Sequence, residues 1–276
     1  MFLTTILLLN IVSANIILSS GLTNWSNTQL SYQYNLYKSY KDMGLITGSS
    51  ILVYEIDDEG QVNTYKTLNN TVSSEDYQYI LKKELGLKSY PCFFCDTTIQ
   101  MCGGQDFINR IEKLYKNMSG FIDDTIRRAL KYEYDGYYLD IELSTVIDFN
   151  KLTHFVNLWT YSLKKINKTL NVWIDFSLSS YNATMLYNNN DVLMTTMNTY
   201  DTTYDMFLTQ VGQYVGKTDN RRLSFGILTY EHVIGSVEID KILQWSKIFT
   251  PFSISLWAST IPLTWYQSLK NYLTNY

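Results

Sequence analysis

The tightest constraint on the fold of this chain is an alternation. Short runs rich in β-branched and aromatic residues recur along it, with helical spacing between most of them. Strands read at 15–19, 50–56, 89–94, 134–143, 171–176, 192–200, 222–228 and 252–257. Helical patterns read at 29–43, 74–85, 107–116, 119–132, 148–166, 204–215 and 239–249. Ser74-Glu75 opens the second of these and Gly86 stops it, while Pro262 starts a closing helix, as proline at a first helical turn does. Pro91 lacks an N–H to give to a neighbouring strand, so the third strand is expected to begin bent. Strands that alternate with helices pair in parallel through right-handed crossovers. Eight such units in about 250 residues is the size of a TIM barrel. The expected fold is therefore α/β, a single (β/α)8 TIM barrel. A doubly wound open sheet competes with it, but no Gly-x-Gly-x-x-Gly follows a strand.

The fourth strand carries the chemistry. Along Tyr134-Asp135-Gly136-Tyr137-Tyr138-Leu139-Asp140-Ile141-Glu142-Leu143, side chains alternate between two faces. Tyr137, Leu139 and Ile141 share an apolar face suited to lie under helices. Tyr138, Asp140 and Glu142 share the other, which then points into the barrel. Two carboxylates buried there are costly unless used. Same-face neighbours stand about 6.6 Å apart at the Cα. At that separation one negative charge disfavours ionisation of the next, so one carboxyl can keep its proton near neutral pH, as a general acid must. An edge strand with its acidic face in water is the alternative.

This stretch resembles the catalytic strand of glycoside hydrolase family 18, the chitinase family, whose pattern is Asp-Gly-x-Asp-x-Asp-x-Glu. Asp135, Gly136, Asp140 and Glu142 match it, and Tyr138 stands where the family has its first inner Asp. The resemblance extends along the chain. Met197-Asn198-Thr199-Tyr200-Asp201 is similar to the family's Met-x-Tyr-Asp at the end of the sixth strand. Trp257 ends the eighth strand, where the family carries the tryptophan that floors the sugar site. Tyr230 follows the seventh, similar to a Pro-x-Tyr region, without the proline.

The resemblance implies a glycosidase acting on N-acetylglucosamine-containing oligo- or polysaccharide, with no cofactor and no metal. It implies that Glu142 is acid and then base, that Asp140 orients the substrate's 2-acetamido group, and that Tyr200 donates a hydrogen bond to it. Asp201, Trp257, Tyr138 and Tyr230 are the implied substrate-binding residues. Only about twenty-odd residues separate the seventh and eighth strands, as in short α/β units. The small α+β insertion domain that deep-cleft members carry there is therefore not expected. A catalytically silent lectin on the same barrel and a protein-binding member are the alternative functions. Taken singly, Trp257 also reads as core, Tyr200 as structural, and Asp201 as a cap on the following helix. Asp175 has the parity of Trp173 and reads as a partnered structural carboxylate. His154 is expected on a helix surface and His232 in a solvated loop. With two histidines in all, a Ser-His-Asp triad or a His-rich metal site has little support.

Composition sets the destination. The net charge is −4 and no basic run occurs, which argues against nucleic acid as a partner. Phe2 to Val12 is apolar but short, and Val12-Ser13-Ala14 offers a small-residue cleavage site. Residues 1–14 are thus expected to be a signal peptide rather than a membrane span, and 15–276 the barrel. Asn-x-Ser/Thr sequons at Asn24, Asn69, Asn117, Asn167 and Asn182 favour the secretory route, to the outside or to an endomembrane, lysosome-like lumen. The three cysteines, Cys92, Cys95 and Cys102, are odd in number. A local disulfide involving Cys102, with one buried thiol left over, is expected. A monomer is expected.

Overall fold

The computed structural model describes residues 14–20, 26–65, 72–96, 104–142, 148–176, 182–187, 191–196, 199, 203–229, 234–257 and 260–274, with the side chains of 95, 96, 104, 142, 175, 176, 183 and 187 excepted. Residues 1–13 of the expected leader, Cys102, Tyr200, Asp201, Tyr230 and His232 lie outside these described residues, while Ala14, the last residue of the expected leader, is described and buried in the core.

Eight parallel strands close into a barrel. They are β1 (Ile16–Ser20), β2 (Gly48–Ile56), β5 (Cys92–Asp96), β6 (Gly136–Glu142), β7 (Asn171–Phe176), β8 (Leu193–Thr196), β9 (Leu223–Leu228) and β10 (Ser253–Trp257). Around the ring they run β1-β10-β9-β8-β7-β6-β5-β2, and β2 pairs back onto β1. Two short strands lie off the ring: β3 (Val62–Thr64) returns antiparallel on β2, and β4 (Lys88–Ser89) pairs with the start of β2. The outer layer is α1 (Asn27–Asp42), α2 (Ser74–Leu85), α3 (Gly104–Lys116), α4 (Met118–Lys131), α5 (Phe149–Ile166), α6 (Ala183–Tyr187), α7 (Tyr204–Val211), α8 (Ser236–Phe249) and α9 (Tyr266–Thr274). No helix among the described residues is long and apolar enough to cross a membrane.

Local chemistry sets the helix ends. Ser26 caps α1 in a capping box with Gln29. The Ser73 hydroxyl accepts from Asp76 N at 3.1 Å to start α2, and Gly86, in the left-handed region at φ 65°, ends it. The Asp148 carboxylate accepts from the backbone N–H groups of Asn150 and Lys151 at 3.1 Å to start α5.

The outward face of β6 shows why this strand is held so firmly. Tyr137, Leu139 and Ile141 are buried in the layer between barrel and helices. Tyr137 lies 5.4 Å from Trp159 of α5, ring centre to ring centre, and Phe93 of β5 lies 5.6 Å from the same indole. Burying each such ring contributes about 2–3 kcal/mol. Their polar ends are satisfied as well. Tyr137 donates to Thr125 O at 2.6 Å, and Trp159 Nε1 donates to Thr125 Oγ1 at 2.8 Å.

Four features differ from the sequence reading. The third strand is split, with β4 before Pro91 and β5 after it, and β2 carries a register shift between Leu52 and Tyr54 opposite β5. The described part of the sixth strand is Leu193–Thr196, and Thr199 is not in strand conformation. The Thr199 hydroxyl donates to Gly226 O at 2.8 Å and lies 2.7 Å from Thr196 Oγ1, which anchors it to the strand ends. Hairpin strand β3 and helix α6 have no counterpart in the sequence reading. Between β9 and β10 the described chain forms one helix, α8, so the absence of an insertion domain holds among the described residues.

Candidate active site

The start of β6 is a fixed point. Asp135, the first residue of the motif, accepts from Lys82 Nζ at 2.6 Å and from Ser89 N at 2.8 Å, which ties the strand to α2 and β4. At Gly136 an added Cβ would sit 2.1 Å from Asn171 O, so only glycine lets β7 come this close. The Asp-Gly pair therefore sets the register of β6 from the end opposite the C-terminal rim of the barrel.

From there the strand climbs with strict alternation. Tyr138 and Cys92 are register partners and both belong to the cluster inside the barrel, with Ile17, Tyr90, Trp173 and Leu193. Tyr138 is fully buried, its ring 4.5 Å from that of Trp173 and 5.9 Å from that of Trp257. Tyr90 and Phe252 continue the aromatic column downward, 5.7 and 6.2 Å from Trp173. Burial raises the Tyr90 phenol above its ordinary pKa, which keeps it neutral.

Asp140 is the next inner position, 1% exposed, with Phe94 as its register partner on β5. Glu142 is the inner position after that and the last residue of the strand; Asp96 is its register partner. The structure thus places positions 138, 140 and 142 on one face of β6, running up to the C-terminal end where a TIM barrel carries its site.

Trp257 ends β10 on the same inner face, half-buried, with Ser19 as its partner on β1 and Leu228 on β9. Its carbonyl accepts from Thr229 N at 2.9 Å and from Thr229 Oγ1 at 3.1 Å, which fixes the backbone one residue before Tyr230. Thr199, anchored as described, fixes the backbone one residue before Tyr200. Sequence reasoning missed both threonines; each anchor is a contact between strands far apart in sequence. Asp175 is the register partner of Thr195. His154 is exposed on α5, as expected. Thr203, whose hydroxyl accepts from Met206 N, is the N-cap of α7, so Asp201 does not fill that role.

Comparison with known proteins follows the same line. No family model matches the sequence, and no curated protein matches it. Solved structures do. A chitinase from Chromobacterium violaceum matches with a TM-score of 0.70 over 95% of this chain and 99% of its own, at 12% identity. The chain has the fold of the chitinases. A GH18 chitinase from Flavobacterium johnsoniae matches with a TM-score of 0.67 over 95% of this chain and 94% of its own, at 11% identity. A chitinase-like agglutinin from Robinia pseudoacacia matches with a TM-score of 0.63 over 92% and 99%, at 12% identity. The chitinase fold spans nearly the full length of both this chain and these relatives, so the barrel accounts for each of them almost entirely.

Proposed function

We propose that this chain is a secreted glycoside hydrolase that cleaves β-1,4 bonds next to N-acetylglucosamine, in chitin, chitooligosaccharides or the chitobiose core of N-glycans. One observation carries the reading: Asp140 is buried inside a closed barrel, above an aromatic floor and one inner step below Glu142 at the C-terminal rim. Burying a carboxyl group there costs free energy, which suits a group kept for its chemistry. The chitinase fold of the solved relatives supports the substrate class.

The proposed reaction runs in two steps and retains the anomeric configuration. Both acids lie on one strand, so they approach the bond from one side, which suits a substrate-assisted route. Glu142 gives its proton to the leaving glycosidic oxygen as the C1–O bond breaks. The carbonyl oxygen of the substrate's own acetamido group attacks C1 and forms an oxazolinium ion. Asp140 orients that group and stabilises its positive charge, with Tyr200 donating to the acetamido oxygen. Glu142, now a carboxylate, then takes a proton from water as the water oxygen attacks C1, and the ring opens to product. Trp257 stacks beneath the sugar, with Tyr138 packed below it. Asp201 and Tyr230 contact the sugar from the neighbouring strand ends. The substrate supplies the nucleophile, so this route uses no cofactor.

The test is incubation of the purified protein with chitooligosaccharides and, separately, with a high-mannose glycopeptide. Cleavage of either is expected, with Glu142→Gln lowering turnover on the order of a thousand-fold while sugar binding persists. Undiminished hydrolysis by Glu142→Gln removes Glu142 as the acid. Sugar binding without cleavage by the wild type makes the chain a lectin.

A further inference from the structure

The backbone register places a second acidic strand beside the first. Cys92, Phe93, Phe94, Cys95 and Asp96 of β5 pair in order with Tyr138, Leu139, Asp140, Ile141 and Glu142 of β6. In-register residues of parallel strands share a sheet face. Described residues on both strands fix which face is which. Cys92 and Tyr138 belong to the interior cluster, with Phe94 packed against it, whereas Phe93, Leu139 and Ile141 belong to the core under the helices. Position 96 therefore falls on the inner face, level with position 142. Adjacent strands run about 4.8 Å apart, closer than the spacing between positions 140 and 142 on one strand.

The position of the first inner Asp in the Asp-Gly-x-Asp-x-Asp-x-Glu pattern is taken on β6 by Tyr138. Its ring is fully buried against Trp173 and Trp257, so this level is filled by packing. The other titratable residues at inner positions of β5, β6 and β7 are Cys92, Tyr138, Asp140 and Asp175, while Tyr181, Tyr200, Asp201, Tyr230 and His232 lie outside the described residues. Glu55 on β2 is engaged by Asn63 Nδ2 at 2.6 Å. No lysine or arginine occupies an inner position of β5, β6 or β7, so no strand-borne cation offsets the acids.

We propose that Asp96 is a positioning residue for the acid, holding the proton on Glu142 across the β5–β6 pair in place of the inner carboxylate that Tyr138 displaces. The inference rests on the hydrolase reading for its meaning, but the coupling between the two carboxyls stands or falls separately. A negative charge at 96 raises the pKa of Glu142 and extends its protonated form to higher pH. Asp96→Asn removes that charge, so the pKa of Glu142 drops and the alkaline limb of the rate profile moves down by about one pH unit. Asp96→Glu keeps the charge and restores the limb.

The experiment has two readouts. One is the pH profile of chitooligosaccharide hydrolysis for wild type, Asp96→Asn and Asp96→Glu. The other is the titration of the Glu142 carboxyl carbon by NMR in the same three proteins, which needs no turnover. A lowered Glu142 titration in Asp96→Asn, reversed in Asp96→Glu, is expected together with the shifted limb. Identical titration curves in all three proteins overturn the proposal, whatever the rates. A shifted titration in a wild type that hydrolyses nothing leaves the coupling in place and sinks the hydrolase reading instead.

Discussion

The two halves of the barrel interior differ in material, although Trp257, Ile17 and Leu193 put large apolar groups in the second half as well. On β5, β6 and β7 the inner face is large and aromatic, with Phe94, Tyr138 and Trp173, and Tyr90 below them. Across the ring, β8, β9, β10, β1 and β2 offer Thr195, Ser224, Ser253, Ser255, Ser19 and Ser50, all buried. The rings of one half fill the space that the small residues of the other leave open, so the interior packs without equal side chains on every strand. The second half is polar because its smallest inner residues are serine and threonine. Ser224 and Ser253 join at 2.7 Å. Ser19, Ser50, Thr195 and Ser255 carry buried hydroxyls that find no hydrogen-bond partner among the described residues. The difference teaches that stability and chemistry are divided: the aromatic half holds the strand that bears the acids, and the hydroxyl half makes room for it.

Three substitutions test that division, in falling order of effect. Trp173→Ala removes the central ring of the column and should cost about 4 kcal/mol, seen as a lowered midpoint in urea unfolding. A loss under about 1 kcal/mol would mean that the column is not the support inferred for Tyr138. Ser224→Ala leaves the Ser253 hydroxyl without its partner and should cost about 1 kcal/mol, with the Ser224→Ala/Ser253→Ala double variant costing little more than either single one. Ser255→Ala deletes a hydroxyl that gives up no bond, and its stability should stay within about 0.5 kcal/mol of wild type. If Ser255→Ala costs as much as Ser224→Ala, the contrast between the paired and unpaired hydroxyls is wrong.

Much of this was legible in the residues alone, for a local reason. Alternation along 134–143 separates Tyr137, Leu139 and Ile141 from Tyr138, Asp140 and Glu142 without knowledge of any partner, because parity is a property of one strand. The eight barrel strands were legible in the same way. What escaped depends on pairing. The anchoring of Thr199 on Gly226 joins residues 27 apart, and the match of Asp96 to Glu142 joins two strands with two helices between them. The departure of Thr199 from the strand escaped because its composition is strand-like, while its place is held by hydroxyl bonds to Thr196 and Gly226. Strand β3 has only three residues, too few for a periodic signal. The sequons are divided too. Asn117 and Asn167 are exposed, whereas Asn182 is half-buried with its Nδ2 donating to Asn150 Oδ1 at 2.7 Å.

The seam of the ring lies between its first and last strands. β1 pairs with β10, and Asn15 Nδ2 reaches Phe252 O across 237 positions of sequence. During synthesis β1 therefore waits, with one hydrogen-bonding edge unmet, until β10 has emerged. For that interval the nascent chain is an open sheet that other strands can join, so its safety in the cell rests on whatever shields that first strand before the ring is complete.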